Sequence, residues 1–265
     1  MPKVVLTAPD GAHAQVYLHG AHVTSWVPMG GEERLFLSRK AEFRPGAAIR
    51  GGVPVIFPQF AREGPLPAHG FARVTTWEFA GVEASTARLQ LRDLETTRRI
   101  WPHAFLTELA VTIGGRQLML GMSVTNMGDG PFSFTCALHT YLRVSDIHGV
   151  VVEGLGGIRY RDQAAGRVER VQTEPELRFS GPVDRVYFEA PSALVVRDAE
   201  RITHVTSSGF PDVVVWNPWV ERGAALSDLE PEGYRRMVCI EAAVIGTPIT
   251  LAPNERWQGS QTLLT

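Results

Sequence analysis

The sequence places one carboxylate inside an otherwise apolar segment, residues 237–243. In a strand, side chains alternate between two faces, so Glu241 would share a face with Cys239 and Ala243. Burying an unpaired carboxylate costs several kcal/mol or forces it to become neutral. Glu241 therefore lies at a solvent-exposed sheet edge, is buried against a partner, or serves a functional site.

A histidine in a second apolar segment, residues 135–141, is a candidate proton donor. In a strand, His139 would lie on the face opposite Cys136, which disfavours a nucleophilic pair between the two. The thiol is then a core residue. A single strand histidine also fits a purely structural role.

A proline-rich loop is flanked by basic residues, within RGGVPVIFPQ at 50–59 and PAHGFAR at 67–73. Arg50 and Arg73 stand at its two ends, and Gly70 after His69 allows close backbone approach, so the loop could form a cationic pocket rim. Taken alone, each arginine also fits an ordinary surface or ion-paired residue, and His69 a hydrogen-bonded loop residue.

Two further features carry weaker signals. Asp184 precedes a short apolar stretch, where it could cap a turn or pair with Arg185. Trp216 and Trp219 flank an Asn-Pro turn and could stack on a sugar face or pack in a core. The sequence contains no P-loop, dinucleotide glycine fingerprint, nucleophile elbow or metal-spaced His/Cys set.

The elements that would position these residues are short strands. The 26 glycines and 18 prolines are spread along the whole chain and interrupt it too often for many long helices. Apolar residues alternate with polar ones at 88–92, at 105–113 and at 118–124, and the last two runs flank a Gly-Gly pair. This pattern predicts a β-hairpin that turns at Gly114 and Gly115.

Similar patterns predict strands at 15–18, 22–27, 194–197, 212–216, 237–243 and 257–264. Many short strands without amphipathic helices between them are typical of an antiparallel sandwich or barrel. We therefore expect one all-β domain over residues 1–265. The polar, acidic segment 221–233 is expected to be a loop over one end of the sheets.

Composition limits the function classes. The 265 residues are 44% hydrophobic and carry 26 Lys and Arg against 28 Asp and Glu, so we expect no nucleic-acid partner and no membrane partner. Cys136 and Cys239 are too few for a disulfide framework or a four-ligand zinc site. No signal peptide or apolar span is evident, so we predict a soluble, cytoplasmic protein, monomeric or weakly homo-oligomeric.

Six motifs occur in an order that resembles the hexose-6-phosphate mutarotases, or glucose-6-phosphate 1-epimerases, of the aldose 1-epimerase superfamily. They are RGGVPVIFP at 50–58, HGFAR at 69–73, LHTY at 138–141, DRVY at 184–187, VWNPW at 215–219 and MVCIE at 237–241. The similarity runs from YLHGAHVTSW at 17–26 to ERWQGSQ at 255–261. It implies a large twisted antiparallel β-sandwich of the galactose mutarotase type.

The resemblance also implies roles for individual residues. His139 matches the family's general acid and Glu241 its general base. The residues that match substrate-binding positions are Arg50 and Arg73 for the phosphate, Asp184 for sugar hydroxyls, and His69 near the reacting end of the sugar. The implied reaction interconverts the α and β anomers of a hexose 6-phosphate, such as glucose 6-phosphate, without a cofactor or metal.

One departure from the family pattern concerns the substrate. Ala68 stands where the family often has Gln, and we expect Gln59 or Arg62 to replace that contact or the phosphate preference to weaken. Three alternatives therefore remain open. They are a mutarotase of unphosphorylated aldoses, a non-catalytic carbohydrate-binding β-sandwich with stacking tryptophans, and a family member with a regulatory or scaffolding role.

The chemistry leads to two expectations about geometry and charge. We expect His139 and Glu241 to face each other across a gap the width of a pyranose ring. We also expect a protonated His139 with a pKa of about 6.5 and an ionised Glu241, each charge favouring the other.

Overall fold

The computed structural model describes residues 1–199 and 201–265, which contain twenty strands and two short α-helices. The strands are β1 (Lys3–Thr7), β2 (His13–Tyr17), β3 (His22–Val27), β4 (Val55–Ile56), β5 (Glu78–Glu83), β6 (Thr86–Arg92), β7 (Phe105–Gly114), β8 (Gln117–Asn126), β9 (Phe132–Leu138), β10 (Tyr141–Arg143), β11 (Val150–Glu153), β12 (Arg159–Asp162), β13 (Val168–Val171), β14 (Glu176–Arg178), β15 (Val183–Tyr187), β16 (Ala193–Asp198), β17 (Arg201–Ser208), β18 (Asp212–Asn217), β19 (Met237–Leu251) and β20 (Arg256–Leu264). The helices are α1 (Glu95–Arg98) and α2 (Trp219–Ala224), with 3-10 turns at Ala72–Val74, Ile147–Gly149 and Gly233–Arg236. Neither α-helix has the length and hydropathy that crossing a bilayer would require in the part of the chain described.

The strands form three antiparallel sheets. The first contains β1, β2 and β3 in that order. The second has eight strands in the order β13-β12-β15-β18-β19-β9-β4, with β10 also paired to β19. The third has nine strands in the order β14-β11-β16-β17-β20-β8-β7-β6-β5. One buried apolar cluster, which extends from Leu6 to Leu263, draws residues from all three sheets, and this confirms the predicted antiparallel β-sandwich.

The predicted hairpin is confirmed. Strands β7 and β8 pair from Phe105 opposite Asn126 to Gly114 opposite Gln117, with Gly115 in the turn at φ 57°. The apolar face of β8 is almost completely buried, because period-two alternation directs it into the sandwich. The predicted strand at 22–27 coincides with β3, and that at 212–216 with β18.

Two expectations need correction. The predicted strand at 237–243 is the first half of a fifteen-residue strand, β19, whose pairing with β9 shifts register between Val244 and Ile249. The segment 221–233 is not wholly a loop, because its first four residues belong to α2. That helix begins after Pro218, which fixes a backbone angle compatible with the first turn.

The two faces of β19 have different roles. Ile240, Ala242 and Val244 point into the main apolar cluster. Cys239 and Ala243 belong instead to two smaller clusters on the outer face of the eight-stranded sheet. Alternation along the strand therefore directs Glu241 to this outer face, beneath the loops that cover it.

Candidate active site

His139 and Glu241 are placed opposite each other by strand register. β9 ends one residue before His139 and β10 begins two residues after it, and both pair with β19, so that Leu138 is opposite Ala242 and Tyr141 opposite Cys239. The residues between are therefore aligned as well. His139 Nε2 lies 3.2 Å from Glu241 Oε1. The expected gap of a pyranose ring is thus replaced by direct contact between the two side chains.

Each member of this pair has one polar atom without a partner. Glu241 is 1% exposed and His139 9% exposed. Glu241 Oε2 and His139 Nδ1 are buried, and neither has a hydrogen-bond partner among the residues that the structure describes. Buried polar atoms are rarely left unpaired, since each costs roughly 1–3 kcal/mol. Such an arrangement is typical of a site in which ligand groups supply missing hydrogen bonds.

Burial determines how the pair is protonated. It lowers the pKa of His139 well below its ordinary value, and the nearby His69 and the cation of Arg73 lower it further. Burial also raises the pKa of Glu241 well above its ordinary value, and Asp184 adds to this. The expected stabilisation of each charge by the other is therefore outweighed by loss of solvation. We infer an electrically neutral pair with one acidic proton between carboxyl and imidazole.

Tyr141 connects this pair to an arginine. Its ring stacks on that of His139 with centroids 4.9 Å apart and an interplanar angle of 13°. Arg50 donates from Nη1 to the Tyr141 hydroxyl at 2.9 Å and from Nε to Asp228 Oδ1 at 3.1 Å. Burial raises the pKa of Tyr141, so the hydroxyl keeps its proton and can donate it to a ligand.

Sequence reasoning assigned no role to Tyr141 or Asp228. Tyr141 belongs to the LHTY motif, and its place two residues after His139 puts both side chains on one face of an extended chain. That spacing could have identified Tyr141 as a residue of the same site as His139. Asp228 lies in the acidic segment 221–233, about 180 residues from Arg50 in the sequence, and nothing local marks which carboxylate of that segment reaches the arginine.

His69 approaches the pair from the covering loop. Its ring lies 5.9 Å from that of His139, and its backbone has φ 66°, followed by Gly70 at the same angle. A Cβ at Gly70 would meet the carbonyl oxygen of Phe57 at 2.1 Å, so only glycine fits there. Burial, together with Arg73 and Arg50, lowers the pKa of His69 to about 3. His69 is therefore neutral near pH 7 and available for hydrogen bonding.

The charge of Arg73 is less neutralised by nearby carboxylates than the charge of Arg50. Arg73 is partly buried, and Nη2 donates to the carbonyl oxygen of Ala68 at 3.3 Å. Among the residues that the structure describes, no carboxylate lies within 4.0 Å of its guanidinium, whereas Arg50 pairs with Asp228. Each arginine lowers the pKa of His69 and that of His139, so both cations lie near these two rings. That they border a substrate pocket stays a prediction.

Asp184 lies within strand β15 rather than before it, directly opposite Trp216 of β18. Burial raises the pKa of Asp184 to about 6. The Trp216 ring meets the His139 ring edge-on at 6.0 Å, so this indole borders the site. Trp219 instead packs against Tyr234 and His148, and a double tryptophan platform is not formed.

Comparison with known proteins decides the family. The family model for Aldose 1-epimerase matches residues 2–264. The chain belongs to the aldose 1-epimerase family. This family member is therefore a sugar isomerase of the epimerase and mutarotase class, a reaction class that needs groups able to give and take protons.

Two curated relatives carry the name "Putative glucose-6-phosphate 1-epimerase". One, from Cenchrus ciliaris, is 41% identical over 273 residues, covering 98% of this family member and 83% of the relative. The other, from Escherichia coli (strain K12), is 38% identical over 239 residues, covering 87% of this chain and 79% of the relative.

Solved structures show the same architecture. A crystal structure from Salmonella typhimurium, described as "a putative mutarotase (YeaD)", has a TM-score of 0.91 and 32% identity, with 99% of this epimerase and 89% of that chain covered. A galactose mutarotase related enzyme from Lactobacillus acidophilus has a TM-score of 0.80 at 16% identity, covering 99% and 97%. The second likeness concerns the fold alone and supports the predicted galactose mutarotase type of sandwich.

The two residues expected to replace the missing glutamine at position 68 have other contacts or positions in this epimerase. The Gln59 amide donates to the carbonyl oxygens of Ala61 and Leu66 and accepts from the Leu66 N–H, so it braces the covering loop. Arg62 is exposed on that loop. At position 68 itself, the backbone carbonyl of Ala68 accepts a hydrogen bond from Arg73.

Proposed function

We propose that this protein interconverts the α and β anomers of a hexose 6-phosphate, with Glu241 and His139 as the proton-transfer pair. The observation that carries the proposal is the contact of 3.2 Å between these two buried groups, each with a polar atom that has no partner among the described residues, close to two arginines. Ring opening and closure require an acid and a base, and a separate cationic group can bind the phosphate.

The proposed reaction proceeds by ring opening and closure. The neutral pair opens the ring in the tautomer that carries its acidic proton on His139: Glu241 then removes the proton from the hydroxyl on C1, while His139 delivers a proton to the ring oxygen. The bond between C1 and the ring oxygen breaks, and C1 becomes an aldehyde carbon. Rotation about C1–C2 presents the other face of the aldehyde, and reclosure with the proton transfers reversed gives the other anomer.

Direct contact between the two groups suits this chemistry. The anomeric oxygen and the ring oxygen are both bonded to C1, so an acid and a base that touch each other can serve both oxygens. Each ring opening moves one proton onto the carboxylate and one off the imidazolium, and the total carried by the pair stays at one. The pair thus needs no exchange with solvent to complete a cycle.

The remaining predicted residues bind the substrate in this proposal. A sugar phosphate carries a charge of about −1.5 to −2 at pH 7, and the guanidinium of Arg73 offers a planar set of donors without a competing carboxylate in the described chain. Arg50 contributes a second cation. Because the phosphate does not react, its binding energy positions C1 over the pair. Asp184 and His69 then contact sugar hydroxyls.

An anomer-exchange measurement by NMR tests the proposal. We expect the wild-type protein to transfer magnetisation between the α and β signals of glucose 6-phosphate far faster than between those of glucose or galactose. Glu241→Gln, which preserves side-chain shape, serves as the control that separates catalysed from spontaneous exchange. Equal catalysis on phosphorylated and free sugars would remove the phosphate assignment, and no catalysis on any of them would remove the reaction.

The second candidate is a mutarotase of unphosphorylated aldoses, which is favoured by Ala68 because this position offers no side-chain polar group. We further propose that residues 1–265 act as one domain in a reducing cytoplasm. The continuous core from Leu6 to Leu263 and the two buried free thiols, Cys136 and Cys239, support this.

A further inference from the structure

The buried segment 19–22, which comprises the turn after β2 and the first residue of β3, contacts both arginine-bearing segments. Its two histidines belong to the motif YLHGAHVTSW and have no role in the proposed chemistry. His22 is fully buried, and its Nε2 donates to the carbonyl oxygen of Gly51 at 2.7 Å. His19 is 3% exposed, and its Nε2 donates to the carbonyl oxygen of Ala47, also at 2.7 Å.

The hydrogen bond from His22 has a fixed direction. Burial lowers the pKa of His22 to about 4, with His19 and Arg73 lowering it further, so the ring is neutral near pH 7. Because a carbonyl can only accept, the ring proton sits on Nε2. His22 Nδ1 is buried and has no hydrogen-bond partner within residues 1–199 and 201–265. His22 therefore uses its single donor to hold one peptide group.

The held segment lies very close to the strand that carries His22. Gly51 has φ 110° and Gly52 has φ 60°. A Cβ at Gly52 would lie 2.1 Å from the carbonyl oxygen of Val23 and 2.9 Å from His22 Nε2. The two glycines thus let the backbone of this segment approach the strand that carries His22.

This peptide leads directly to the binding groups. Arg50 precedes Gly51 in the chain, and the Gly52 carbonyl accepts the N–H of Tyr141 at 2.9 Å. The Tyr141 hydroxyl in turn accepts from Arg50 Nη1. Gly51 and Gly52 therefore connect His22 to the backbone of both residues, and the orientation of one peptide affects where the Arg50 guanidinium lies.

The same turn contacts the second arginine. Gly20 donates its N–H to the carbonyl oxygen of Thr75 at 2.7 Å. A Cβ at Gly20 would lie 2.5 Å from the carbonyl oxygen of Arg73. One short turn thus fixes the backbone of the Arg50 and Arg73 segments relative to each other.

We propose that His22 is a positioning residue for phosphate recognition, acting through the Gly51 peptide on Arg50. The inference rests on the proposed hexose 6-phosphate activity. It assigns to His22 no contact with the substrate and no proton transfer. We expect the consequence to be selective, because pairing of β9 and β10 with β19 aligns His139 and Glu241, and His22 holds the Gly51 carbonyl rather than the Gly52 carbonyl that accepts from Tyr141.

The test compares His22→Leu with His22→Gln in the full chain. Leucine fills similar space without a donor, whereas the glutamine amide can replace Nε2–H. We expect His22→Leu to raise the KM for glucose 6-phosphate roughly tenfold while kcat changes less than about twofold. The KM for free glucose should stay within about twofold, and His22→Gln should restore most of the affinity for the phosphorylated sugar.

A matched control comes from Thr107, whose buried hydroxyl donates to the Ser123 carbonyl oxygen at 2.9 Å in the nine-stranded sheet. Thr107→Val removes the same kind of hydrogen bond far from the arginines and should leave both KM values unchanged. Equal effects of His22→Leu on phosphorylated and free sugars, or an unchanged KM for glucose 6-phosphate, would overturn the assignment. If Arg73→Ala raises the KM for glucose 6-phosphate more than that for glucose and His22→Leu does not, only the positioning role fails. If the wild-type protein does not prefer the phosphorylated sugar, the phosphate assignment itself fails.

A second measurement covers the case in which His22→Leu does not fold. Wild-type protein labelled with ¹⁵N-histidine is titrated with inorganic phosphate, and the ring resonances are followed by NMR. We expect the Nε2–H signal of His22 to shift with saturation, while that of the exposed His204 stays unchanged. A His22 signal that does not move as phosphate binds would overturn the proposal.

Discussion

Glu241 of β19 lies directly opposite His139, which stands in the link between β9 and β10, and Glu241 Oε1 is 3.2 Å from His139 Nε2. Their contact therefore depends on backbone pairing rather than on a flexible loop. A slip of one residue in that pairing would turn the carboxyl into the apolar core, where nothing would pair with it. The alignment of the acid and base is thus as rigid as the sheet.

Replacing either member of this pair should abolish most of the activity. We expect Glu241→Gln and His139→Asn each to lower kcat by about 10²- to 10⁴-fold, because each removes one of two coupled proton transfers. The double variant should lose little more than either single one, since the two groups act as a unit. Anomer exchange by NMR gives the rates, and thermal unfolding shows whether the variants remain folded. Additive losses would argue against a shared proton.

Arg73 should matter chiefly for the phosphate. We expect Arg73→Ala to raise the KM for glucose 6-phosphate by at least about tenfold and that for glucose by less than about twofold, because a charge-assisted contact to phosphate is lost. Arg73→Lys should be intermediate, since lysine keeps the charge but not the planar donor pair. Steady-state kinetics on both sugars provide the measurement. Arg50→Ala should also raise the KM for glucose 6-phosphate more than that for glucose, and loss of the partner of Tyr141 should in addition lower kcat on both sugars.

Asp184 should give the activity a pH dependence near pH 6. Its pKa is raised to about 6 by burial, so the free enzyme carries a neutral carboxyl at pH 5 and a carboxylate at pH 7. If the carboxylate accepts hydrogen bonds from sugar hydroxyls, kcat/KM should rise across this interval. Free glucose is the appropriate substrate, because the second ionisation of a phosphate ester also falls near pH 6. In Asp184→Asn the step should disappear, and a step that persists would assign it to another group.

Acid should destabilise the protein through His22. Its pKa is about 4 in the folded state and about 6.5 when unfolded, so the unfolded state binds more protons between these values. Stability is therefore lost as the pH falls below the unfolded pKa, by about 2 kcal/mol from this residue between pH 7 and pH 5. Urea unfolding at both pH values should show a correspondingly smaller loss in His22→Gln. An identical loss in the two proteins would contradict a buried neutral imidazole.

The sequence was informative wherever short-range periodicity carried the signal. The alternation at 105–113 and 118–124 predicted the β7–β8 hairpin because a tight turn fixes the register of both strands. The isolated carboxylate at Glu241 marked the strand that carries one member of the proposed proton-transfer pair. The acid–base roles of Glu241 and His139 came from the family resemblance rather than from the residues alone, and they remain a proposal.

Other features were hidden because they depend on pairings distant in the chain. The protonation of the pair could not be foreseen, since it follows from how completely the sheet and its covering loop exclude water from His139 and Glu241. The bond between Arg50 and Asp228 and that between His22 and Gly51 also join separate segments. In each case the residue types are common, and the sequence does not show which of many possible partners is the one in contact.

The order of strands in the eight-stranded sheet also affects how the protein is made. β9 lies between β19 and the two-residue strand β4, and β19 is synthesised about a hundred residues after β9. Until β19 leaves the ribosome, the long edge of β9 has no mate and can pair with other chains. A nascent or C-terminally shortened polypeptide would thus be inactive and prone to aggregation. Chaperones would be most useful while the residues between β9 and β19 are being synthesised.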